Sequence, residues 1–390
     1  MSQKKSQILF HDGRPLCENG YTTAVSLHCH TNHSKEGLHC IPSYASRIPV
    51  LSSVFTRETH RYKRLTGQAI DFAAWYWTPP PPPQAVIDSE AGRIESQLGL
   101  RSLVSLSDHD DISALGAVDV SGRDTVFPIS LEWTVPVNGA ELHLGVHNLP
   151  PERSVDIAND LMGYTSKPKT RSLPDLLAGL SDSPDTLLVV NHPLSNSDGI
   201  GAARIRRVAT EFLDRHGEYV HALEINGYRP WSENRTVMRL AERFGKPVVS
   251  GGDRHGTAPN AIVNVTGAES FSGFVDELRR DKMSTVMVMP EYQEEDVIMR
   301  KLAVLTDFFR YYPGYPPGLR RWTDRVFIKL DDGVIRPLSK CWDHTTPAWV
   351  KSVMWFVDLM ARRYIQPAFR MSFVRKIGLA LWGHVQTVSS

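Results

Sequence analysis

Thr23-Ala-Val-Ser-Leu-His-Cys-His30 is an apolar run that ends in two imidazoles. The same pattern recurs along the chain, because further apolar runs end in histidine or carboxylate side chains within 103–111, 126–132, 187–192 and 247–255. Buried apolar runs separated by helical stretches are typical of parallel strands in βα units, whose sites gather at the carboxyl ends of the strands. The sequence therefore predicts that these polar side chains meet at one edge of a sheet.

Strand and helix patterns alternate from about residue 103 to residue 290. Helix candidates lie at 172–180, 203–216 and 234–244, and strand candidates lie at 219–224 and 284–289. Alternation of this kind predicts an α/β fold with a parallel sheet, either open or closed into a barrel. The composition changes beyond residue 290, where acidic residues are followed by aromatic and arginine-rich segments. We therefore predict a mainly helical C-terminal extension at 291–390.

An insertion at about 38–100 separates the first two predicted strands, and it is far longer than an ordinary βα connection. It carries a basic stretch at 57–64, an aromatic stretch at 70–77 and five prolines at 79–83, which are expected to form a stiff connector. The aromatic residues could stack a nucleobase, but packing against the rim of the sheet is the favoured interpretation. Because the insertion follows the first ligand strand, we predict that it lies over or beside the site.

Composition excludes few classes of protein. The chain has 390 residues and a formal net charge of +1. A chain of this length can form either one large α/β core with an appendage, or two medium domains. The near-zero net charge does not favour nucleic acid or a membrane surface as the main partner. The four cysteines form no Cys-x-x-Cys pair, the first residues lack an apolar signal core, and no apolar run approaches the ~20 residues that span a bilayer. We therefore expect a cytoplasmic protein without a transmembrane segment.

His28 and His30 could share one metal ion. They lie two residues apart on a predicted strand, and the period of two places both imidazoles on one face. His-x-His alone is a weak signal, but here further histidines and carboxylates follow the other strands. Such ligands suit zinc, manganese or iron, and a carboxylate can bridge two ions while histidines complete each coordination shell.

Four ordered motifs carry a resemblance to a known family. They are His28-Cys-His-Thr-Asn-His-Ser-Lys-Glu-Gly37, Ser107-Asp-His-Asp110, Asn191-His-Pro193 and Gly252-Asp-Arg-His255, with Glu132 and the run His143-Leu-Gly145 between the second and the third. In this order they resemble the PHP family, the polymerase and histidinol phosphatase domains of metal-dependent phosphoesterases. The resemblance covers about residues 20–290 and implies a distorted parallel (β/α)7-type barrel, with the insertion after its first strand.

The resemblance also implies a cluster of two or three divalent ions, which could be zinc, manganese or iron. The implied ligands are, for the first ion, His28, His30, Glu132 and Asp253; for the second, Glu132, His143 and His192; and for the third, Glu36, His109 and His255. Two of these ligand positions have an alternative residue. His33 could replace Glu36, and His147 could replace His143, although the Leu-Gly after His143 matches the family.

The expected chemistry is hydrolysis of a phosphate ester. Bound metals lower the pKa of a bridging water and absorb charge on the phosphoryl oxygens, so the expected nucleophile is a metal-bound hydroxide rather than a side chain. Glu132 and Asp253 would act as catalytic metal ligands. Arg254 would bind a non-bridging oxygen or, alternatively, form a salt bridge that ties its loop, and Arg229 is a weaker second candidate for the phosphate.

The sequence thus predicts an enzyme, a metal-dependent hydrolase of the phosphoesterase or phosphatase type. Its predicted substrate is a phosphomonoester or a nucleotide or oligonucleotide phosphate, and a small phosphorylated molecule is favoured over longer nucleic acid. Two alternatives stay open: a non-phosphate metallohydrolase, and a catalytically silent binding or regulatory protein of the same fold. The pattern carries no prediction of substrate identity or oligomeric state.

Overall fold

The computed structural model describes most of residues 6–340 and a few positions beyond them. Within 6–340 it leaves out 14–15, 17–19, 39–41, 43–48, 68, 120–125, 169–171, 197–198, 295–296 and 331, and further along it describes 351, 352 and 355. About half of the predicted C-terminal extension therefore lies outside the described residues. The chain divides into two compact units, Met1–Ser34 with Pro81–Val297 and Lys35–Pro80 with Ile298–Ser390.

Strands and helices alternate along most of the described chain. The strands are β1 (Ser6–Phe10), β2 (Thr23–Cys29), β3 (Glu36–Gly37), β4 (Tyr76–Trp77), β5 (Arg101–Leu106), β6 (Leu131–Val137), β7 (Ala140–His147), β8 (Leu187–Asn191), β9 (Ala222–Asn226), β10 (Val248–Gly251), β11 (Ile262–Thr266), β12 (Ser284–Val288), β13 (Val326–Lys329) and β14 (Ile335–Pro337). The helices are α1 (Pro49–Thr66), α2 (Pro83–Leu98), α3 (Ser154–Ser166), α4 (Leu173–Asp182), α5 (Ala202–His216), α6 (Trp231–Arg243), α7 (Phe271–Asp276), α8 (Pro290–Glu294) and α9 (Val297–Phe309).

The first unit contains two five-stranded sheets, with strand orders β1-β12-β11-β2-β5 and β10-β9-β8-β7-β6. Parallel pairs join β1 to β12, β2 to β5, β8 to β9 and β9 to β10. In contrast, β11 and β7 run antiparallel to both of their neighbours. The predicted α/β class is confirmed, but the prediction of a wholly parallel sheet is wrong, because both sheets are mixed.

The antiparallel pair β6–β7 is a tight hairpin. Asn138 and Gly139 join the two strands, and both have positive φ, 50° and 72°. Asn-Gly is the strongest short-range signal for a two-residue hairpin turn, because both residues tolerate a left-handed backbone. The sequence therefore contained a signal for this antiparallel strand that the strand-and-helix alternation concealed.

Backbone hydrogen bonds also run between the two sheets, beyond the ends of the strands. On one flank, an isolated parallel bridge pairs His109, after β5, with Glu132 at the start of β6. On the other flank, the Asp253 N–H donates to His28 O at 2.8 Å. These bonds bring together the strand ends that carry the candidate ligands. The paired strands among the described residues do not form a closed barrel, so the (β/α)7 barrel is not confirmed.

The largest apolar cluster of the first unit packs the second sheet against helices. It includes Trp133 of β6, Leu161 of α3, Leu177 of α4, Phe212 of α5 and Val237 of α6, all of them buried. Trp133 also donates through its indole N–H to Leu161 O at 3.0 Å, which satisfies its one buried polar group. This packing fixes the second sheet and therefore the strand ends that carry polar residues.

The second unit has a small sheet and an apolar core of its own. Its strand order is β14-β13-β4-β3, so β4, which lies in the predicted insertion, pairs with β13 from the C-terminal segment. Trp75, Tyr62, Val326 and Ile328 are buried together in this core. Trp75 is therefore a core side chain within its own unit, whereas the placement of the insertion over the site stays a prediction. No helix in the described parts of the chain is both long and apolar enough to cross a membrane.

Candidate metal centre

β2 delivers two histidines to one place. His28 lies near the end of the strand, His30 follows directly after it, and both side chains are fully buried. Their Nε2 atoms are 3.0 Å apart. The register of β2 against β5 shifts between Ser26 and Cys29, and His28 has a φ of 62°. A local bulge, rather than the plain alternation of a strand, therefore brings the two imidazoles together.

Glu132 lies at the centre of the cluster and is fully buried. Five imidazoles surround its carboxylate: His28, His30 and His109 at Oε2, and His143 and His192 at Oε1. The three nitrogen atoms near Oε2 lie at 3.1, 3.2 and 3.3 Å, and the two near Oε1 lie at 3.3 and 3.1 Å. A carboxylate with histidines on both oxygens is the arrangement expected of a ligand that bridges two ions.

The loop after β10 adds a carboxylate and a further imidazole. Asp253 Oδ1 lies 3.8 Å from His28 Nε2, 3.7 Å from His30 Nε2 and 3.5 Å from His255 Nδ1. The ring of His255 stacks on that of His30, with centroids 4.2 Å apart. Asp253 has a φ of 50°, so this loop holds a backbone conformation that side chains rarely adopt.

These side chains form overlapping groups that could each hold a metal ion, with candidate ligand atoms within 4.8 Å of one another. The groups are His28, His30 and Glu132; His28, His192 and Asp253; and His109, Glu132 and His143; the nitrogens of His30, His109 and His255 show the same spacing. The structure thus brings together all the predicted ligands of the first unit. Asp253 shares a group with His192, whereas the family resemblance assigns these two residues to different ions.

Glu36, the remaining predicted ligand, belongs to the second unit. It lies in β3, where its backbone is paired with that of Trp77. Its role as a ligand stays a prediction. The alternative ligand His33 has its Nδ1 2.8 Å from Ser113 Oγ and belongs to none of the groups found among the described residues.

His143 and His147 have different surroundings although both lie on β7. His143 approaches Glu132, as described above. His147 is buried with its Nδ1 2.8 Å from Ser105 Oγ, and burial lowers its pKa to about 3. This arrangement favours His143 as the ligand and leaves His147 as a neutral, hydrogen-bonded core side chain.

The cluster attracts positive charge. Burial would raise the pKa of Glu132, but the imidazoles of His28, His109 and His143 hold it well below its usual value. At His143, burial lowers the pKa but the Glu132 carboxylate outweighs it and raises the pKa to about 9. At His28, Glu132 and Glu224 likewise outweigh burial and raise the pKa well above its usual value. Either protons or divalent ions can supply the charge that balances these carboxylates.

The residues present fit a metal centre. Glu132 Oε2 is buried and has no hydrogen-bond donor of acceptable geometry among the described residues, although three imidazole nitrogens lie near it. A buried carboxylate oxygen in this state is costly unless a cation engages it. Histidine nitrogens and carboxylate oxygens together match the preferences of zinc, manganese and iron.

Neighbouring groups orient the candidate ligands. Glu224 Oε2 lies 2.6 Å from His28 Nδ1, and Asn226 Nδ2 donates to Glu224 Oε1 at 2.6 Å. Asn191 Nδ2 donates to Glu132 Oε1 at 3.0 Å. A carboxylate on Nδ1 leaves Nε2 of the same histidine as the ligand atom. Glu224 therefore supports His28. Asn191 stands in one of the motifs quoted above, but its contact to Glu132 was not predicted from the sequence.

Part of the cluster remains accessible to solvent. The side chains of His28, His30 and Glu132 are fully buried, whereas those of His143 and Asp253 are 19% and 13% exposed. His109 and His255 are exposed to a similar degree, 15% and 18%. The accessible part of the cluster therefore includes His143 and Asp253, whereas His28 and His30 form its closed floor.

The geometry of Arg254 does not fit the prediction that it binds a phosphate oxygen. Its side chain is 1% exposed, and its Nη1 donates to Glu90 Oε1 at 2.6 Å. Its Nη2 donates to the carbonyls of Gly256 and Thr257 at 3.2 and 2.9 Å. Because both terminal nitrogens are engaged within the protein, the structure favours the alternative, a salt bridge that ties the loop.

Arg229, the second candidate for an anion, lies beside the centre. Its Nη2 is 3.9 Å from Asp253 Oδ2 and donates to Ser195 Oγ at 2.5 Å. Its Nε is 3.9 Å from Glu233 Oε1 and is buried without a hydrogen-bond partner among the described residues. Arg229 thus places a positive charge next to the partly exposed carboxylate of Asp253.

Comparison with known proteins gives matches among solved structures. No family model matches the chain, and no curated protein matches it. PsfC from Pseudomonas syringae shares 15% identity with a TM-score of 0.40, covering 57% of this chain and 90% of its own. An amidohydrolase from Chromobacterium violaceum, with bound sulfate and no metal, shares 18% sequence identity with a TM-score of 0.33. The match covers 46% of this chain and 84% of the amidohydrolase. A Bifidobacterium adolescentis protein proposed to be a metal-dependent phosphoesterase shares 15% sequence identity with a TM-score of 0.31. The match covers 47% of this chain and 85% of that protein. Such TM-scores carry no assignment of function.

Proposed function

We propose that this chain is a metal-dependent hydrolase that cleaves phosphate esters. The observation that carries the proposal is the fully buried Glu132 carboxylate with imidazole nitrogens at 3.1 to 3.3 Å around both oxygens. Burying a carboxylate is costly unless positive charge compensates it. Two or three divalent ions between these ligands would supply that charge, and the ligand types suit zinc, manganese or iron.

We further propose that the first unit is a distorted barrel of PHP type. Support comes from the bonds between its sheets on both flanks, the bridge between His109 and Glu132 and the hydrogen bond from the Asp253 N–H to His28 O. Strands arranged in this way would present their ligand-bearing ends at one mouth, as sites in β/α barrels do.

When bound, divalent ions at this centre would lower the pKa of a coordinated water and stabilise negative charge on the phosphoryl oxygens. The protein's own groups fix the geometry around them. Glu132 holds histidines at both oxygens, and Glu224 fixes the orientation of His28 through its Nδ1. The burial of His28 keeps bulk water away from this part of the centre, where electrostatic interactions are stronger as a result.

A phosphoryl group is the favoured substrate moiety because Arg229 lies on the accessible side. Its guanidinium is beside Asp253, and Asp253 is one of the partly exposed candidate ligands. Arginine binds phosphate oxygens through forked, charge-assisted hydrogen bonds. We therefore assign the anion-binding role to Arg229, and we favour a small phosphomonoester or nucleotide over internal positions of a long nucleic acid.

Two other functions use the same residues. A non-phosphate metallohydrolase would need the same ions, and a catalytically silent binding protein would retain the ligands without turnover. Assays against aryl phosphates, carboxylic esters and amides distinguish these cases from the proposal. Cleavage of esters or amides without phosphatase activity would favour the first, and full metal loading without any turnover would favour the second.

The central test measures metal and activity in the same preparations. Protein purified without chelator should contain two or three transition ions per chain by elemental analysis and should cleave an aryl phosphate, with stimulation by manganese or zinc. Glu132→Gln should lose both metal and activity, whereas the matched core variant His147→Asn should keep most of each. Less than about one ion per chain, unchanged after addition of manganese or zinc, would contradict the proposal.

A further inference from the structure

Arg254 lies between two candidate ligands, Asp253 and His255, yet its guanidinium is bound to a helix. Its partner Glu90 is in α2, and both side chains of this ion pair are 1% exposed. The pair is separated by 164 residues in the sequence, with a distance of 2.6 Å between Nη1 and Oε1. It therefore joins α2 to the loop that carries the ligands.

Glu90 also contacts the strand that supplies the histidines. Its Oε2 accepts a hydrogen bond from Ser26 Oγ at 2.9 Å, and its Oε1 accepts one from the Asn260 N–H at 3.0 Å. The Asn260 side chain in turn donates to Leu27 O at 3.0 Å. A single buried carboxylate thus links β2, α2 and both ends of the 252–260 loop, because Arg254 lies near one end and Asn260 at the other.

The loop requires such support. Asp253 has a φ of 50°, which is unfavourable for a residue with a side chain unless its surroundings hold it. Packing around it is tight, since a Cβ at Gly252 would lie 1.6 Å from Asn260 Oδ1. Small shifts of this loop would therefore move the Asp253 carboxylate relative to the histidines of β2.

We propose that Glu90 and Arg254 are positioning residues that hold Asp253 and His255 in the geometry needed to bind metal. The inference rests on the proposed metal centre and adds that its affinity for metal depends on an ion pair outside the ligand set. Neither residue is a ligand itself. Arg254 acts through the backbone carbonyls of Gly256 and Thr257 and through its own position in the chain.

The test distinguishes a role of the ion pair in positioning the loop from a role in stabilising the fold alone. Arg254→Lys keeps a charge opposite Glu90 but loses the forked contacts to Gly256 and Thr257, so it should fold and bind metal more weakly. The double variant E90Q/R254M removes both charges, so it should recover thermal stability relative to the single variant Arg254→Met, which leaves the Glu90 charge buried and unpaired. A purely stabilising ion pair would regain metal affinity along with stability, whereas a positioning pair would not.

The measurements are the thermal midpoint by circular dichroism and the affinity for manganese and for zinc by competition with a chromophoric chelator. In Arg254→Lys and in E90Q/R254M we expect at least one ion to bind roughly ten times more weakly than in wild type, the lower end of the range for residues that support a ligand. Arg279→Gln is the matched control. Arg279 also donates to backbone carbonyls, those of Thr186 at 2.9 Å and Ser181 at 2.5 Å, and its loss should lower stability without changing metal affinity.

The outcomes distinguish the two proposals. Wild-type affinity in both Arg254→Lys and E90Q/R254M would overturn the positioning role while leaving the metal centre intact. A loss of affinity in Arg279→Gln as large as in these variants would also overturn it, because the effect would then follow stability alone. Wild-type protein that binds neither manganese nor zinc would instead overturn the metal centre, and the inference with it.

Discussion

Glu224→Gln should weaken metal binding without changing the size of the side chain. The Glu224 carboxylate has donors on both oxygens: His28 Nδ1 at 2.6 Å from Oε2, and Asn226 Nδ2 at 2.6 Å from Oε1. The His192 N–H also donates to Oε1, at 3.3 Å. A glutamine must therefore direct its NH2 group at one of these donors, because both oxygens of the glutamate already act as acceptors.

The expected loss in metal affinity is roughly ten- to a hundredfold, or about 1.4 to 2.7 kcal/mol, as is usual when a carboxylate that orients a ligand histidine is removed. Two features favour the upper end of this range. The contact to His28 is as short as charge-assisted hydrogen bonds become, and His28 is fully buried, so water cannot replace the lost acceptor. The ligand atoms themselves are unchanged, so the loss would come from orientation and from the basicity of the imidazole.

The assay is competition for zinc and for manganese with a chromophoric chelator. Glu277→Gln is the control, because its carboxylate also accepts a side-chain hydrogen bond, from Thr266 Oγ1 at 2.5 Å, but belongs to no candidate metal group in the described chain. The control should bind metal like wild type. If Glu224→Gln also binds both metals with wild-type affinity, then His28 is not held by Glu224 or is not a ligand, and the reasoning is wrong.

The pKa of His143 is raised to about 9, so below that pH a metal ion must displace a proton from this imidazole. The affinity for metal should therefore fall by up to about tenfold per pH unit as the pH drops from 9. Calorimetry in buffers of different ionisation heat should detect the released proton. Trp75→Ala should destabilise the second unit by about 3–5 kcal/mol in chemical denaturation, because Trp75 is a buried core residue, and should leave metal content unchanged. Arg229→Gln should raise KM for an aryl phosphate roughly 10- to 100-fold, as expected for a lost charge-assisted hydrogen bond, and should leave metal content unchanged. An unchanged KM would show that Arg229 does not bind the substrate.

The gathering of the candidate ligands could be predicted because their strand pattern is local in the sequence. His28 and His30 follow an apolar run, and Asp253 and His255 follow another, so the two pairs were expected at strand ends. The structure places His28 and His30 next to Glu132, and Asp253 and His255 next to these histidines. The expectation that polar side chains gather at strand ends needed only the strand pattern, which is a property of short segments. The assignment of particular residues to ions came from the resemblance to the PHP family and stays a prediction.

The division into units and the role of Arg254 could not be predicted in the same way. Both depend on contacts between segments far apart in the sequence: β4 in the insertion pairs with β13, and Arg254 pairs with Glu90. An arginine between two ligands has the same sequence signature whether it faces a substrate or a buried glutamate. The strand pattern gives no information on which carboxylate it meets, because nothing near Arg254 in the sequence identifies α2 as its neighbour.

The choice between His143 and His147 depends on how β7 pairs with β8, which the sequence does not give. Asn138-Gly139 fixes β7 as antiparallel to β6, and β7 also runs antiparallel to β8, where His143 is opposite Asn191 and His147 is opposite Leu187. Asn191 is the last residue of β8 and precedes the candidate ligand His192, so His143 lies beside that end of β8. The hairpin alone does not decide between them, because it places Glu132 opposite Gly145, midway between the two histidines. The period of two puts both histidines on one face, and the pairing with β8 then places His143, rather than His147, beside His192. That pairing joins segments far apart in the sequence, so the strand pattern alone leaves both histidines as candidates.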